Sequence, residues 1–383
     1  MIYENLKRNI NNITEIQNSV SVHFIKGAFV EIKGPYKAEY TVDFIDNKSG
    51  KRIFSSDIGN NCWTKCTREY FVEWKIQIYQ NGKLWYEHIY DATDKRVYIP
   101  LDSKALGDTM AWFPYVDEFR KKHNCRVVTS TFMNDLFVDQ YPELEFINPG
   151  EPADGLYAMY SIGLFYNDNN EPNLQKNPND FRMQPLQKMS SDILGLDYVE
   201  VKPKIKKNPI EINPELKQIS IGVFGTAQPK FWNNKDGWQY IVDWLNSKGY
   251  TVKLVSKEND DYMGNKLPTG IVKHPNGPLS DVIDELQKSK AFIGIGSGLS
   301  WLSWATGTPT VLISGFSYDW AEMQDCIRIS APKGKCEGCF NRYRLDAGDW
   351  NWCPDHKGTE RQFECSKSIE YTEVIKMLKK VLD

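Results

Sequence analysis

Hydrophobic and polar residues alternate through the first hundred positions. In SVSVHFIKGAFVEIKG the apolar side falls on Val20, Val22 and Phe24, then on Ala28, Val30 and Ile32. AEYTVDFIDNKSGKRIF carries Tyr40, Val42 and Phe44 into a polar turn at Asn47 to Gly50. EYFVEWKIQIYQNGKLWYEHIY places Asn81-Gly82 between two alternating runs, a hairpin signal. A period of two buries one face of a strand. The stretch therefore predicts an all-β module of about six or seven strands, closed as a small barrel or sandwich.

From about Ile99 the pattern becomes alternating helix and strand. GDTMAWFPYVDEFRKKHN reads as an amphipathic helix, CRVVTST as a strand, FMNDLFVDQY as a shorter helix and LEFINPG as a strand, with a further apolar run at GLYAMYSIGLF. KPKIKKNPIEINPEL, rich in Lys and Pro, cannot hold a helix and reads as a linker. Alternation then restarts: strand QISIGVFG, helix KDGWQYIVDWLNSKG, strand YTVKLVS, helix LSDVIDELQKS, strand AFIGIG, helix SGLSWLSWATG and strand PTVLISG. A four-cysteine segment follows, and SIEYTEVIKMLKKVLD closes the chain as a helix. Two βα-repeating halves joined by a linker predict two doubly wound domains facing a cleft. The expected divisions are 1–98, 99–205, 206–325, 326–366 and 367–383.

Charge narrows the function. With 47 basic and 50 acidic residues the net charge is −3, which argues against a general polyanion-binding surface and hence against nucleic acid as partner. The 13% aromatic content suits either large cores and interfaces or stacking surfaces for sugars and bases. MIYENLKRNINNITEIQ has no apolar export segment and no run approaches a membrane span, so a cytoplasmic protein is expected. Disulfides are rare in that compartment, and clustered cysteines there more often bind metal. Cys62 and Cys66, inside the β module without a nearby partner pair, read as core packing.

The densest chemistry lies in AFIGIGSGLSWLSWATGTPTVLIS. A buried strand ends at Gly296, passes through Ser297-Gly298 and enters a helix at Leu299. Free backbone N–H groups and the Ser297 and Ser300 hydroxyls then stand at a helix N-terminus on the carboxyl edge of a sheet, a ready anion site suited to a diphosphate. A tight turn that simply needs glycine is the plainer alternative. Asp108 opens a helix behind Gly107, either as an N-cap or as a general base. Lys230, in GTAQPKFWN just past the first strand of the second half, is either a solvated lysine or a cation that neutralises a diphosphate, with Thr226 and Gln228 as neighbouring polar contacts. No Asp-x-Asp pair occurs, so the sequence gives no support to a catalytic divalent metal. In the last segment, Cys336-x2-Cys339 is followed by Cys353 and Cys365, a set that suits tetrahedral zinc or iron. His356, in Cys353-Pro354-Asp355-His356, is a rival for the fourth position.

The stretch LSDVIDELQKSKAFIGIGSGLSWLSWATGTPTVLISG resembles the donor site of the lipopolysaccharide heptosyltransferases, and ALGDTMAWFPYVDEFRKKHNCRVVTST resembles their first βα unit. One departure stands out: that family usually has Asp-Thr-Gly where this chain reads Gly296-Ser297-Gly298, so its donor-site acid cannot be carried over. Over nearly its full length the chain looks more like the bacterial autotransporter heptosyltransferases. The specific points are Gly107-Asp108-Thr109, Lys230, Ser297-Gly298-Leu299-Ser300 and the cysteine finger.

That resemblance implies an α/β fold, a GT-B-like pair of Rossmann-like domains with an N-terminal all-β module and a C-terminal metal-binding finger. The 99–205 domain would face the acceptor and the 206–325 domain the donor. It implies transfer of heptose from ADP-heptose to serine hydroxyls of a β-helical autotransporter adhesin. Asp108 would be the base, with Thr226, Gln228, Lys230, Ser297, Gly298, Leu299 and Ser300 on the donor. One structural iron would sit on Cys336, Cys339, Cys353 and Cys365, in a large homo-oligomer, a dodecamer in the family resembled. Two other readings stand beside it: a glycosyltransferase with another nucleotide sugar or a glycan or lipopolysaccharide acceptor, and a non-catalytic nucleotide-binding assembly protein.

Overall fold

A computed structural model describes residues 18–382; the opening stretch read for an export signal lies outside the described residues. The second half forms a six-stranded parallel sheet. Its spatial order is Val272–Lys273, Thr251–Leu254, Gln218–Gly222, Ala291–Ile295, Thr310–Ile313 and Ile327–Ile329. Chain order reverses between Gln218–Gly222 and Ala291–Ile295, the arrangement of a doubly wound sheet. Every residue of those two strands is buried, because helices cover both faces. The closing helix Tyr371–Leu382 packs back on this unit, with Tyr371 stacked 4.2 Å from Tyr240 of the helix Gly237–Ser247.

The first half repeats the plan on a smaller scale. Glu145–Phe146, Arg126–Ser130, Arg96–Pro100 and Ala158–Met159 lie parallel in that spatial order, and chain order reverses between the last two. The N-terminal residues are β as expected, but they do not form a module closed on itself. Ser19–Ile25 pairs parallel with Ala158–Met159 and carries Ala28–Lys33 and Cys62–Cys66 antiparallel beyond it, making one seven-stranded sheet. Only Arg52–Gly59, Glu39–Asp46, Trp74–Gln80 and Lys83–Ile89 form a separate four-stranded sheet, joined at its last hairpin by Asn81-Gly82. The expected boundary at residue 98 therefore runs through a continuous sheet. A single hydrophobic core spans all of this, from Val30 and Trp74 to Trp112 and Phe119.

Three local readings need correction. The expected helix through residue 124 is two helices, Leu106–Trp112 and Pro114–His123. Pro114 has no N–H to continue the first and is placed at the start of the second, where none is needed. FMNDLFVDQY makes two short 3₁₀ turns instead of a helix, since the Asn134 side chain takes the Thr131 amide at 2.8 Å and competes with helical pairing. The helix Leu186–Ile193 was not anticipated. The Lys/Pro-rich linker has no helix or strand, as read. Among the described residues no helix is long and apolar enough to cross a membrane.

Candidate active site

Ligands of doubly wound sheets bind beyond the carboxyl ends of the strands, where chain order reverses. Here there are two such points, and they face each other. The helix Leu106–Trp112 follows the first, and Gly298–Thr306 follows the second. The first turns of these helices touch. A Cβ on Gly298 would lie 2.8 Å from Leu106 Cβ and 3.1 Å from the Gly107 nitrogen, and one on Gly107 would lie 3.0 Å from Trp301 Cδ1. Glycine at both positions is what lets the two units close on one another. Beside this contact is a cavity of about 100 Å³, lined by Gly107, Asp108, Lys230, Gly296, Ser297, Gly298 and Glu322 among others.

Asp108 lies in the first helical turn. The N-cap is Ala105, so Asp108 does not cap its own helix. Its carboxylate accepts a hydrogen bond from Ser103 Oγ at 2.7 Å and otherwise faces the cavity. Burial raises its pKa above the ordinary aspartate value, opposed by the Ser103 hydrogen bond and the Lys230 charge. Lys230 ends a 3₁₀ turn, Gln228–Lys230, at the mouth of the strand Gln218–Gly222. Its ammonium donates to Thr226 Oγ1 at 3.3 Å and stands 5.7 Å from the centre of the Phe316 ring. Burial lowers its pKa, opposed by the fields of Asp108 and Glu322. Among the described residues no ion pair joins Lys230 to either acid, so the cavity holds one cation facing two anions across open space.

The Ser297-Gly298 turn offers fewer free groups than its sequence suggested. Gly298 and Leu299 are the first two residues of the helix, and their N–H groups have no partner within it. The Ser297 hydroxyl is buried and also unpartnered among the described residues. Ser300 is already committed: its hydroxyl donates to the Ile295 carbonyl at 2.6 Å and its amide to the Ser297 carbonyl at 3.1 Å. Gln228 is committed as well. Its amide nitrogen donates to Asn233 and Asn265, while its oxygen accepts from Asn265 and from Trp350 Nε1, which exhausts its capacity. It braces the strand exit against the finger. Glu322 was not singled out from the sequence, and its only signal is its position after a central strand.

All eight cysteines are free thiols, with Cys62 exposed at the end of its strand and Cys66 in the core. In the finger, the sulfurs of Cys336 and Cys339 and a carboxylate oxygen of Asp355 lie within 4.8 Å of one another. Cys353, Cys365 and His356 are not part of that group. Neighbouring sulfurs nonetheless act on Cys339 and Cys365. Burial, then the neighbouring Cys336 and Cys353, push Cys365 up to about 12, and burial with Cys336 and Cys365 nearby also raises Cys339. Buried thiols crowded in this way are proton-bound unless a cation takes the proton's place, so the donor set fits a thiolate-binding metal. Asp355, held by Arg342 and by Tyr343 Oη at 2.8 Å, is an oxygen donor that the sequence reading passed over. The finger reaches the cleft. Phe340 lines the cavity and packs 5.3 Å from Phe316, and Trp350 and Trp352 turn inward; only Tyr343, 40% exposed, faces out.

No protein-family model matches the chain. Named proteins do. The autotransporter heptosyltransferase Aah of Escherichia coli is 36% identical over 345 residues, 87% of this chain and 86% of Aah. BAHTCr of Citrobacter rodentium, of the same description, is 35% identical over 352 residues, 88% of this chain and 84% of its own. BimC of Burkholderia thailandensis, an inactive autotransporter heptosyltransferase, is 27% identical over 351 residues, covering 90% and 82%. Among solved structures, the iron-containing dodecameric glycosyltransferase TibC of enterotoxigenic E. coli superposes with a TM-score of 0.86 at 30% identity, over 95% of each chain. TibC in complex with ADP-D-β-D-heptose gives 0.85, again at 30% identity, over 94% and 95%. E. coli ADP-heptose lipopolysaccharide heptosyltransferase II shares the fold, with a TM-score of 0.50 at 13% identity over 74% of this chain and 98% of its own.

Proposed function

The chain belongs to the autotransporter heptosyltransferases, and from that premise we propose that it transfers heptose from ADP-heptose to serine hydroxyls of a β-helical autotransporter-type protein in the cytoplasm. Kinship alone does not decide activity, since BimC is an inactive relative. The observation that carries the reading is the convergence of Asp108, Lys230 and the Ser297-Gly298 turn on one cavity between the two switch points. An assembly protein that only held a nucleotide would have no use for a desolvated carboxylate opposite the phosphate site.

The chemistry follows from the charges. The diphosphate takes the N–H groups of Gly298 and Leu299 and the Ser297 hydroxyl, at the positive end of the helix. Lys230 neutralises the negative charge that grows on the leaving ADP. A fixed ammonium and helix amides together serve the purpose that a divalent metal serves elsewhere, so the transfer step is metal-independent. Asp108 takes the proton from the acceptor serine as its Oγ bonds to the anomeric carbon; the bond from that carbon to the phosphate oxygen breaks, and its electron pair leaves with ADP. A carboxylate with a raised pKa is the stronger base.

The finger holds one metal through Cys336, Cys339, Cys353 and Cys365, with Asp355 in reach; iron is the choice supported by TibC. Its contribution is structural: it ties a segment with little core of its own against Phe316 and the cleft wall. Assembly as a large homo-oligomer, a dodecamer as in TibC, completes the reading. Co-expression with a β-helical passenger and mass spectrometry of that passenger tests it. Heptose-sized additions on serine support the reading, and hexose additions point to a different nucleotide sugar.

A further inference from the structure

Glu322 has no place in the chemistry above, yet it is the most firmly fixed charge in the cavity. One carboxylate oxygen, Oε2, is held by the Arg328 guanidinium and by Ser317 Oγ at 2.8 Å. Arg328 is itself tied to the Ser317 carbonyl at 2.8 Å and to Ser330 Oγ at 3.1 Å. The two side chains are only 11% and 10% exposed, so the ion pair is nearly sealed and its geometry set. The other oxygen, Oε1, has no hydrogen-bond partner among the described residues. It points at the donor turn: a Cβ on Gly296 would lie 2.8 Å from it. An acidic side chain at 296, the kind found in the resembled Asp-Thr-Gly turn, has no room here, because Glu322 already fills the space.

A bare carboxylate oxygen repels a diphosphate. It attracts a neutral group with O–H to donate, and the part of a nucleotide sugar that offers this beside the diphosphate is the sugar. We propose that Glu322 Oε1 accepts a hydrogen bond from a hydroxyl of the donor sugar, making Glu322 a specificity-determining residue that favours the sugar nucleotide over free ADP. The inference rests on the donor site proposed above.

The test is calorimetry with ADP and with ADP-heptose, without acceptor, on wild type, Glu322→Gln and Arg328→Lys. Loss of one charged hydrogen bond predicts ADP-heptose bound about tenfold or more weakly by Glu322→Gln, with ADP affinity within about twofold of wild type. Arg328→Lys keeps Oε1 and shows no such split. Should Glu322→Gln fail to fold, Glu322→Asp keeps a carboxylate for Arg328 while withdrawing it from the sugar by one methylene, and gives the same split. Equal weakening of both ligands, or of neither, overturns the inference while sparing the donor site. Wild type that binds neither ligand overturns the donor site and this inference together.

Discussion

Among the described residues, Asp108 is the only ionisable side chain lining the cavity from the first switch point; from the second, Lys230, Glu322, the Ser297 hydroxyl and the unpaired Gly298 amide crowd the same space. Both points arise from one topological device, a reversal of strand order at the carboxyl edge of a parallel sheet. The difference lies in what each must handle. A nucleotide sugar carries fixed charge and many hydroxyls, so its side needs several fixed groups. A serine hydroxyl needs one base. On the proposed function the donor edge would set affinity and the acceptor edge rate, and variants on the two edges should divide along that line.

The sharpest division is expected at Asp108. Asp108→Ala should lower turnover by about a thousandfold while ADP affinity stays within about twofold, because the base acts on the acceptor alone. Single-turnover transfer set beside ADP calorimetry reads both quantities. Wild-type turnover in this variant removes the base from the acceptor edge.

Lys230→Ala should move both quantities. Transfer falls by about a hundredfold and ADP binds at least about tenfold more weakly, with or without added Mg²⁺. ADP binding that depends on Mg²⁺ in wild type contradicts the metal-independent donor edge.

Cys339→Ser should lose the metal by elemental analysis and lower the thermal midpoint by about 5 °C or more. Since Phe340 is part of the cavity wall and Gln228 is tied to Trp350, the donor edge should weaken too, by a smaller factor than in Lys230→Ala. A metal-free variant with wild-type ADP affinity and unchanged assembly separates the finger from the donor edge.

The smallest effect is on pH dependence. As a general base Asp108 would work as the carboxylate, and its pKa is raised, so kcat/KM should fall on the acid side at higher pH than an ordinary aspartate sets. Lys230 works as the ammonium, and its pKa is lowered, so the alkaline fall should come at lower pH than an ordinary lysine sets. Asp108→Asn should abolish the acid limb with the activity, and Lys230→Arg should carry the alkaline limb upward.

Most of the 206–325 half was legible from sequence because short apolar runs alternate there with amphipathic helices, whereas Val272–Lys273, exposed, and the short Ile327–Ile329 carry no such signal. Gly296-Ser297-Gly298 announced its helix start locally. Asp108 and Lys230 were legible as residue types at strand ends, and the cysteines as a spaced set. Beyond the local helix corrections, the missed parts depend on contacts that only the fold makes. Ser19–Ile25 joins Ala158–Met159 across more than a hundred residues, and no local pattern tells a strand that its partner lies in another unit. Glu322 is ordinary in SYDWAEMQDC until Arg328 and Gly296 are brought beside it. Ser300 and Gln228 looked free in sequence because their partners, a strand carbonyl and Trp350, become visible only in the fold.

The central claim, that the two edges act together in transferring heptose to serine, is tested most directly by intact-mass analysis of a β-helical autotransporter passenger. The passenger is co-expressed with wild type and, separately, with Asp108→Asn. The predicted result is heptose-sized increments on passenger serines with wild type and none with Asp108→Asn, while the purified variant still binds ADP. Equal increments with both proteins, or none with wild type, would contradict it.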